Sequence, residues 1–265
     1  MSDHQRSWMS VCVFAAAGAA VWAGSPTAMA QLDPGDIVPY VENGRIETGR
    51  ASSGGGLERN VRVFPGVFGE SPNFTNDPGF DTGPNGFPAG VVLGFDILRA
   101  LRVWDGSSFT TIPAERISVR FGPLGPVRTP TTDVRTPGFG LAVSSTGEYH
   151  HHFGYTLQAP AAAGIYLYEF ELWTNSPSIG PSKPTWIVFN QNRPVAEQEA
   201  AIEWVRRNFL CAADFNSDGQ ADFFDYLDFA QAFGVDDPSA DFNGDGQVDF
   251  FDYLDFAQAF EQGCP

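Results

Sequence analysis

The 265-residue sequence is poor in positive charge: 15 Lys and Arg stand against 32 Asp and Glu, for a formal net charge of −17. Nucleic acid and anionic membrane surfaces both call for a basic patch, so this balance excludes them as partners. Long apolar runs are missing too. The run Val11–Ala23 has 13 residues, whereas a helix needs roughly 20 to cross about 30 Å of hydrocarbon. No G-x-S-x-G, H-E-x-x-H or P-loop occurs, which leaves nucleophilic, zinc-peptidase and phosphate chemistries without their usual signatures. Cysteines number 3 and histidines 4. What is present is a folding composition: 43% hydrophobic residues against 18% charged, which excludes global disorder. The 29 Gly, 20 Pro and 24 Phe point to a loop-rich chain with aromatic-packed β-structure.

The first 30 residues read as a secretory signal peptide. Arg6 precedes the apolar run, and Ala28-Met29-Ala30 places small residues before a cleavage point. The expected mature chain starts at Gln31, is secreted to the extracellular space or the cell envelope, and has no membrane span. Cys12 and His4 leave with the signal. Cys211 and Cys264 then remain as an even pair in an oxidising compartment. Every mature histidine lies in the run His150-His151-His152.

Negative charge is concentrated at the C-terminal end. Cys211–Pro265 holds twelve Asp, one Glu and no Lys or Arg. Such a block would self-repel, yet it is interleaved with Phe, Tyr and Leu. The segment is an internal repeat: Asp214–Phe233 and Asp241–Phe260 match at eighteen of twenty positions, offset by 27 residues. Both copies follow D-x-N-x-D-G-x-x-D-x-x-D, an EF-hand-type calcium loop. Asp214, Asn216, Asp218, Gln220, Asp222 and Asp225 take loop positions 1, 3, 5, 7, 9 and 12 of the first site. Asp241, Asn243, Asp245, Gln247, Asp249 and Asp252 take those of the second. Position 7 offers its backbone carbonyl, and Gly219 and Gly246 supply the sharp turn at position 6. Grouped carboxylates are costly without a cation, and hard oxygen donors suit calcium. Two calcium ions are therefore expected. A single helix follows each loop. Phe224, Leu227 and Ala230 recur at helical spacing, as do Tyr226, Phe229, Ala230 and Phe233, with Phe251, Leu254, Ala257 and Tyr253, Phe256, Phe260 as second-copy equivalents. The first helix is expected to end near Gly234.

This arrangement resembles the dockerin family, which carries two tandem loop–helix repeats with Asp at position 12. The resemblance covers residues 211–265, about a fifth of the chain. It implies calcium-dependent folding and docking onto a partner, typically a cohesin on a scaffold or cell surface. Near-identity of the copies implies pseudo-twofold symmetry, so either face can dock. Positions 10 and 11, often small hydroxyl residues in cellulosomal dockerins, are Phe223-Phe224 and Phe250-Phe251 here. Cys211 and Cys264 bracket the repeats, and a disulfide between them would staple a module with little core. An intermolecular bond, or a sorting attachment at Gly263-Cys264, is the alternative.

The remainder divides into a body, 31–194, and a helical linker, 195–210. Short β-prone runs separated by turn signals such as Asn43-Gly44 and Asp105-Gly106 predict a mainly β body, a β-sandwich or jelly roll, ahead of a small all-α calcium module. Expected strands include Ile37–Val41, Val91–Ile97, Arg116–Phe121, Tyr149–Leu157, Ile165–Thr174 and Thr185–Asn190. The segments 52–56 and 73–88 read as surface loops, and Glu197–Leu210 as a helix. In an extended strand, Glu148, His150 and His152 share one face, a potential transition-metal set. The carboxylates Asp96, Glu115, Asp133, Glu169 and Glu171 show no specific acid pair, so no catalytic residue is assigned. Trp104, Trp173 and Trp186 are either core or a platform for polysaccharide, the glycan-binding or glycan-hydrolysing alternative to a non-catalytic body.

Overall fold

The computed structural model describes residues 32, 35–52, 56–83, 85–216, 221–243 and 247–263. The fold is mainly β, with helices toward the C-terminus. In chain order the strands are β1 Ile37–Glu42, β2 Arg45–Ala51, β3 Leu57–Glu58, β4 Val63–Val67, β5 Phe74–Thr75, β6 Phe80–Asp81, β7 Val92–Ile97, β8 Arg102–Val103, β9 Ile117–Phe121, β10 Leu124–Arg128, β11 Thr136–Ala142, β12 His150–His151, β13 Gly154–Leu157, β14 Gly164–Thr174 and β15 Thr185–Gln191. The helices are α1 Val195–Phe209, α2 Phe223–Phe233 and α3 Phe250–Gln262, with a 3₁₀ turn at Pro238–Ala240.

The strands form three sheets, in the orders β12-β6-β1-β2-β3, β10-β9-β13-β5 and β11-β7-β14-β15-β4, with β8 also on β14. Pairing is antiparallel except for β1 with β6 and β15 with β4, which run parallel. The hairpin from β1 to β2 turns on Asn43 and Gly44, both at positive φ (49° and 75°), the backbone that a two-residue turn of matching twist requires. β2 was not among the expected strands. Its sequence RIETGRA carries little apolar signal, and its place is set by register against β1. The segment 73–88 holds two short strands as well as loop: β5 pairs with β13, and β6 lies between β1 and β12.

All three sheets contribute to one core. Ile37 and Phe80 of the first, Val119 and Tyr155 of the second, and Phe95, Tyr168, Phe170 and Phe189 of the third are all buried in it. Side chains alternate along β14, and both faces are used. Tyr166, Tyr168, Phe170 and Leu172 face the main core, whereas Ile165 and Leu167 join Val63, Trp186 and Val188 in a second cluster. Helix α1 covers that second face with Ala201 and Val205. Its Gln198 Nε2 donates to the Gly66 and Val188 carbonyls at 2.9 Å each, pinning the helix to β4 and β15. Glu197 lies in its first turn and Arg206 and Arg207 in its last, each with the favourable sign for the helix dipole.

Candidate metal centres

The two repeats form a symmetric pair. Phe229 and Phe256 stack face to face, with centroids 4.0 Å apart and planes 7° from parallel. Phe215 meets Phe229 edge-on at 5.5 Å, and Phe242 meets Phe256 at the same 5.5 Å. Across the seam Phe215 meets Phe256 at 6.1 Å and Phe242 meets Phe229 at 6.2 Å, as a local twofold axis requires. The faces left outside match too. Phe223, Phe224 and Leu227 are 64, 64 and 45% exposed, and Phe250, Phe251 and Leu254 are 63, 64 and 45% exposed. Of the two helical stripes in the sequence, the one through Tyr226, Phe229 and Phe233 therefore forms the core, and Phe224 and Leu227 lie outside it.

The position-12 aspartates are fully buried. Asp225 accepts from the Asn216 N–H through Oδ1 at 2.9 Å and from the Asp222 N–H through Oδ2 at 2.8 Å. Asp252 repeats this with Asn243 at 3.0 Å and Asp249 at 2.8 Å. Asp222 and Asp249 cap α2 and α3, each accepting from the residue two ahead and completing a reciprocal capping box. One short segment thus closes the loop and starts the helix. Burial pushes the Asp252 carboxyl up, but backbone N–H donors, with Asn243 and Asp249 foremost, more than offset it and hold it below the ordinary range.

Asp218, Gly219, Gln220, Asp245, Gly246 and Cys264 lie outside the described residues, as do residues 1–31. The described loop residues Asp214, Asn216, Asp222 and Asp225, with Asp241, Asn243, Gln247, Asp249 and Asp252 in the second copy, present oxygen donors, which fits calcium. Loop one has a basic neighbour: Nζ of Lys183, the only lysine of the sequence, stands 3.6 Å from Asp214 Oδ2.

The histidine run sits at a sheet edge. His150 and His151 form β12, in register with Asp81 and Phe80 of β6. His151 turns inward, its ring edge-on to Tyr149 at 4.6 Å and Phe121 at 5.0 Å. Burial pushes its imidazole below the ordinary value, aided by its two histidine neighbours. His150 and His152 lie together, ring centroids 5.5 Å apart. The acid that joins them is Asp36. One ligand atom from each of Asp36, His150 and His152 falls within 4.8 Å of the others. Glu148 is not in this group: its own N–H donates to Ser144 Oγ at 3.1 Å in the preceding turn. Glu148 lines the same surface cleft as His150 and His152. Asp36, more than a hundred residues upstream, arrives through parallel pairing of β1 with β6. The sequence carries no signal for it.

The body carboxylates are tied up structurally. Asp96 and Glu171 sit opposite each other on β7 and β14 and share Arg135, at 2.8 and 2.6 Å. Asp133 binds Arg102, Glu169 binds Arg99, and Glu115 accepts from the Ala162 N–H. The tryptophans are packed. Trp186 is buried and stacks on Phe209. Trp104 lies against Phe109 and Trp204, and Trp173 Nε1 donates to Asp96. Among the described residues no helix is long and apolar enough to cross a membrane. No protein-family model, curated protein or solved structure matches the chain.

Proposed function

We propose that this chain is a secreted, non-catalytic protein whose mainly β body, read as a β-sandwich, is carried by a C-terminal dockerin-like module that folds with two calcium ions and docks onto an envelope or scaffold partner. One observation carries the reading. Two loop–helix units of near-identical sequence pack about a local twofold axis, with both position-12 aspartates buried and each fastened to its own loop by two N–H groups. Calcium supplies the positive charge that a segment of thirteen acids and no Lys or Arg lacks. Asp214, Asn216, Asp218, Gln220, Asp222 and Asp225 would hold one ion, and Asp241, Asn243, Asp245, Gln247, Asp249 and Asp252 the other. The paired Phe-Phe-Leu faces are the surfaces proposed for docking, since they are apolar, exposed and equivalent. Cys211 and Cys264 are proposed as the staple at the ends of the module.

The non-catalytic reading of the body is supported by the ion pairs and buried hydrogen bonds that engage its acids. Polysaccharide as a partner finds no exposed tryptophan among the described residues, so docking is the reading carried forward. The test is a pull-down from the secreted and envelope fraction, with the mature chain as bait, in calcium and in chelator. A partner retained only in calcium supports the proposal. Equal order and equal capture in chelator would sink it.

A further inference from the structure

We propose that Asp36, His150 and His152 form a second kind of metal site, one that takes a single divalent transition-metal ion, zinc by its donors, on the body and independent of the calcium loops. Three observations carry it. First, the donor set is two imidazoles and a carboxylate, all within 4.8 Å, the mixed nitrogen and oxygen set that zinc accepts and calcium does not favour. Second, the spacing fits. His152 Nε2 and Asp36 Oδ2 are 3.4 Å apart, and two ligand atoms each about 2.1 Å from a tetrahedral ion lie about 3.4 Å from each other. His150, the exposed member of the set, lies within 4.8 Å of both other ligands.

Third, the surroundings orient the ligands as metal sites do. His152 Nδ1 lies 3.1 Å from Asp77 Oδ1. With its Nδ1 proton given to Asp77, the ring presents the Nε2 lone pair to Asp36 Oδ2. That is the orientation of a metal-ligating imidazole whose other ring nitrogen is held by a carboxylate. Asp36 is itself held: it is buried, and its Oδ1 accepts from the Gly79 N–H at 2.8 Å. Gly79 also makes room for the ligand, because a Cβ there would stand 2.7 Å from the His152 ring. Three protein ligands leave the fourth position to water. The ion would pin the short edge strand β12 to the start of β1.

The test uses the mature chain without a histidine tag, in saturating calcium, titrated with zinc against a chromophoric competitor and with cobalt(II) for its ligand-field spectrum. The expected result is one zinc beyond the calcium sites and a tetrahedral cobalt spectrum. His150→Ala, at an exposed position, should weaken zinc at least about tenfold with zinc-free thermal unfolding unchanged. Asp77→Asn should weaken it about 10- to 100-fold, the range for a residue that orients a ligand. Asp36→Asn should abolish the cobalt bands. Stoichiometric zinc that survives both His150→Ala and Asp36→Asn would overturn the assignment, as would no zinc bound by the parent chain.

Discussion

Replacing Asp252 with Asn probes the buried carboxylate at the closing position of the second loop. The change keeps the shape and removes one acceptor oxygen and the charge. In the native loop both oxygens are used, at 3.0 Å from the Asn243 nitrogen and 2.8 Å from the Asp249 nitrogen, with no solvent access. An asparagine keeps one of these bonds and turns its own NH₂ toward the other donor. The loss is one charge-assisted hydrogen bond plus a stranded buried N–H, about 2–3 kcal/mol together. That figure is the loop's own loss with the ion in place, apart from any change in calcium affinity. The variant also loses a carboxylate ligand, so the second ion should bind at least about tenfold more weakly, a further 1.4 kcal/mol or more. Thermal unfolding followed by circular dichroism in saturating calcium gives the total loss, calorimetric calcium titration gives the binding part, and the difference is the loop's own. By the local symmetry, Asp225→Asn should behave alike at the first loop. If Asp252→Asn unfolds within about 0.5 kcal/mol of the parent in saturating calcium and binds both calcium ions unchanged, the reasoning about the loop is wrong.

Other predictions follow from the same geometry. Lys183→Met removes the cation beside Asp214 and should tighten calcium at the first loop about fivefold, roughly 1 kcal/mol after screening, with the second loop unaffected; calcium titration separates the two. Phe223→Ser with Phe224→Ser removes one exposed apolar face and should leave partner capture largely intact, whereas the same change on both copies should abolish it; loss from a single-copy variant would exclude two equivalent docking faces. Asp105 accepts first from the Ser107 backbone N–H and then from the Ser107 and Ser108 hydroxyls and the Ser108 N–H, which lowers its pKa to about 2. Being depressed, it contributes stability above the unfolded carboxylate value near 4, and that contribution is lost as pH falls through about 2. Carboxyl NMR titration should place the Asp105 midpoint there, and Ser107→Ala with Ser108→Ala should move it back toward the ordinary value.

Much of the architecture is legible locally because its causes lie within a few residues. The repeat, Asp222 and Asp249 ahead of the two terminal helices, the end of α2 at Gly234, the stretch Val195–Phe209 and the alternation along β14 each follow from short-range chemistry. So does the Asn43-Gly44 hairpin turn. Which of two helical stripes goes inside was not legible. Both are aromatic and apolar, and only the facing of one repeat onto the other selects Phe229 and Phe256 and leaves Phe224 and Leu227 in solvent.

The sequence by itself determined the oxygen-rich loops, their doubling and the histidine pair, since each depends on neighbours in the chain. Only the tertiary structure decided that Asp36 rather than Glu148 joins His150 and His152. It likewise decided that Arg135 bridges Asp96 and Glu171 and that Lys183 stands beside Asp214. These partners lie dozens of residues or more apart, and strand pairing and sheet packing bring them together through backbone register, which the identities of the polar residues themselves do not encode.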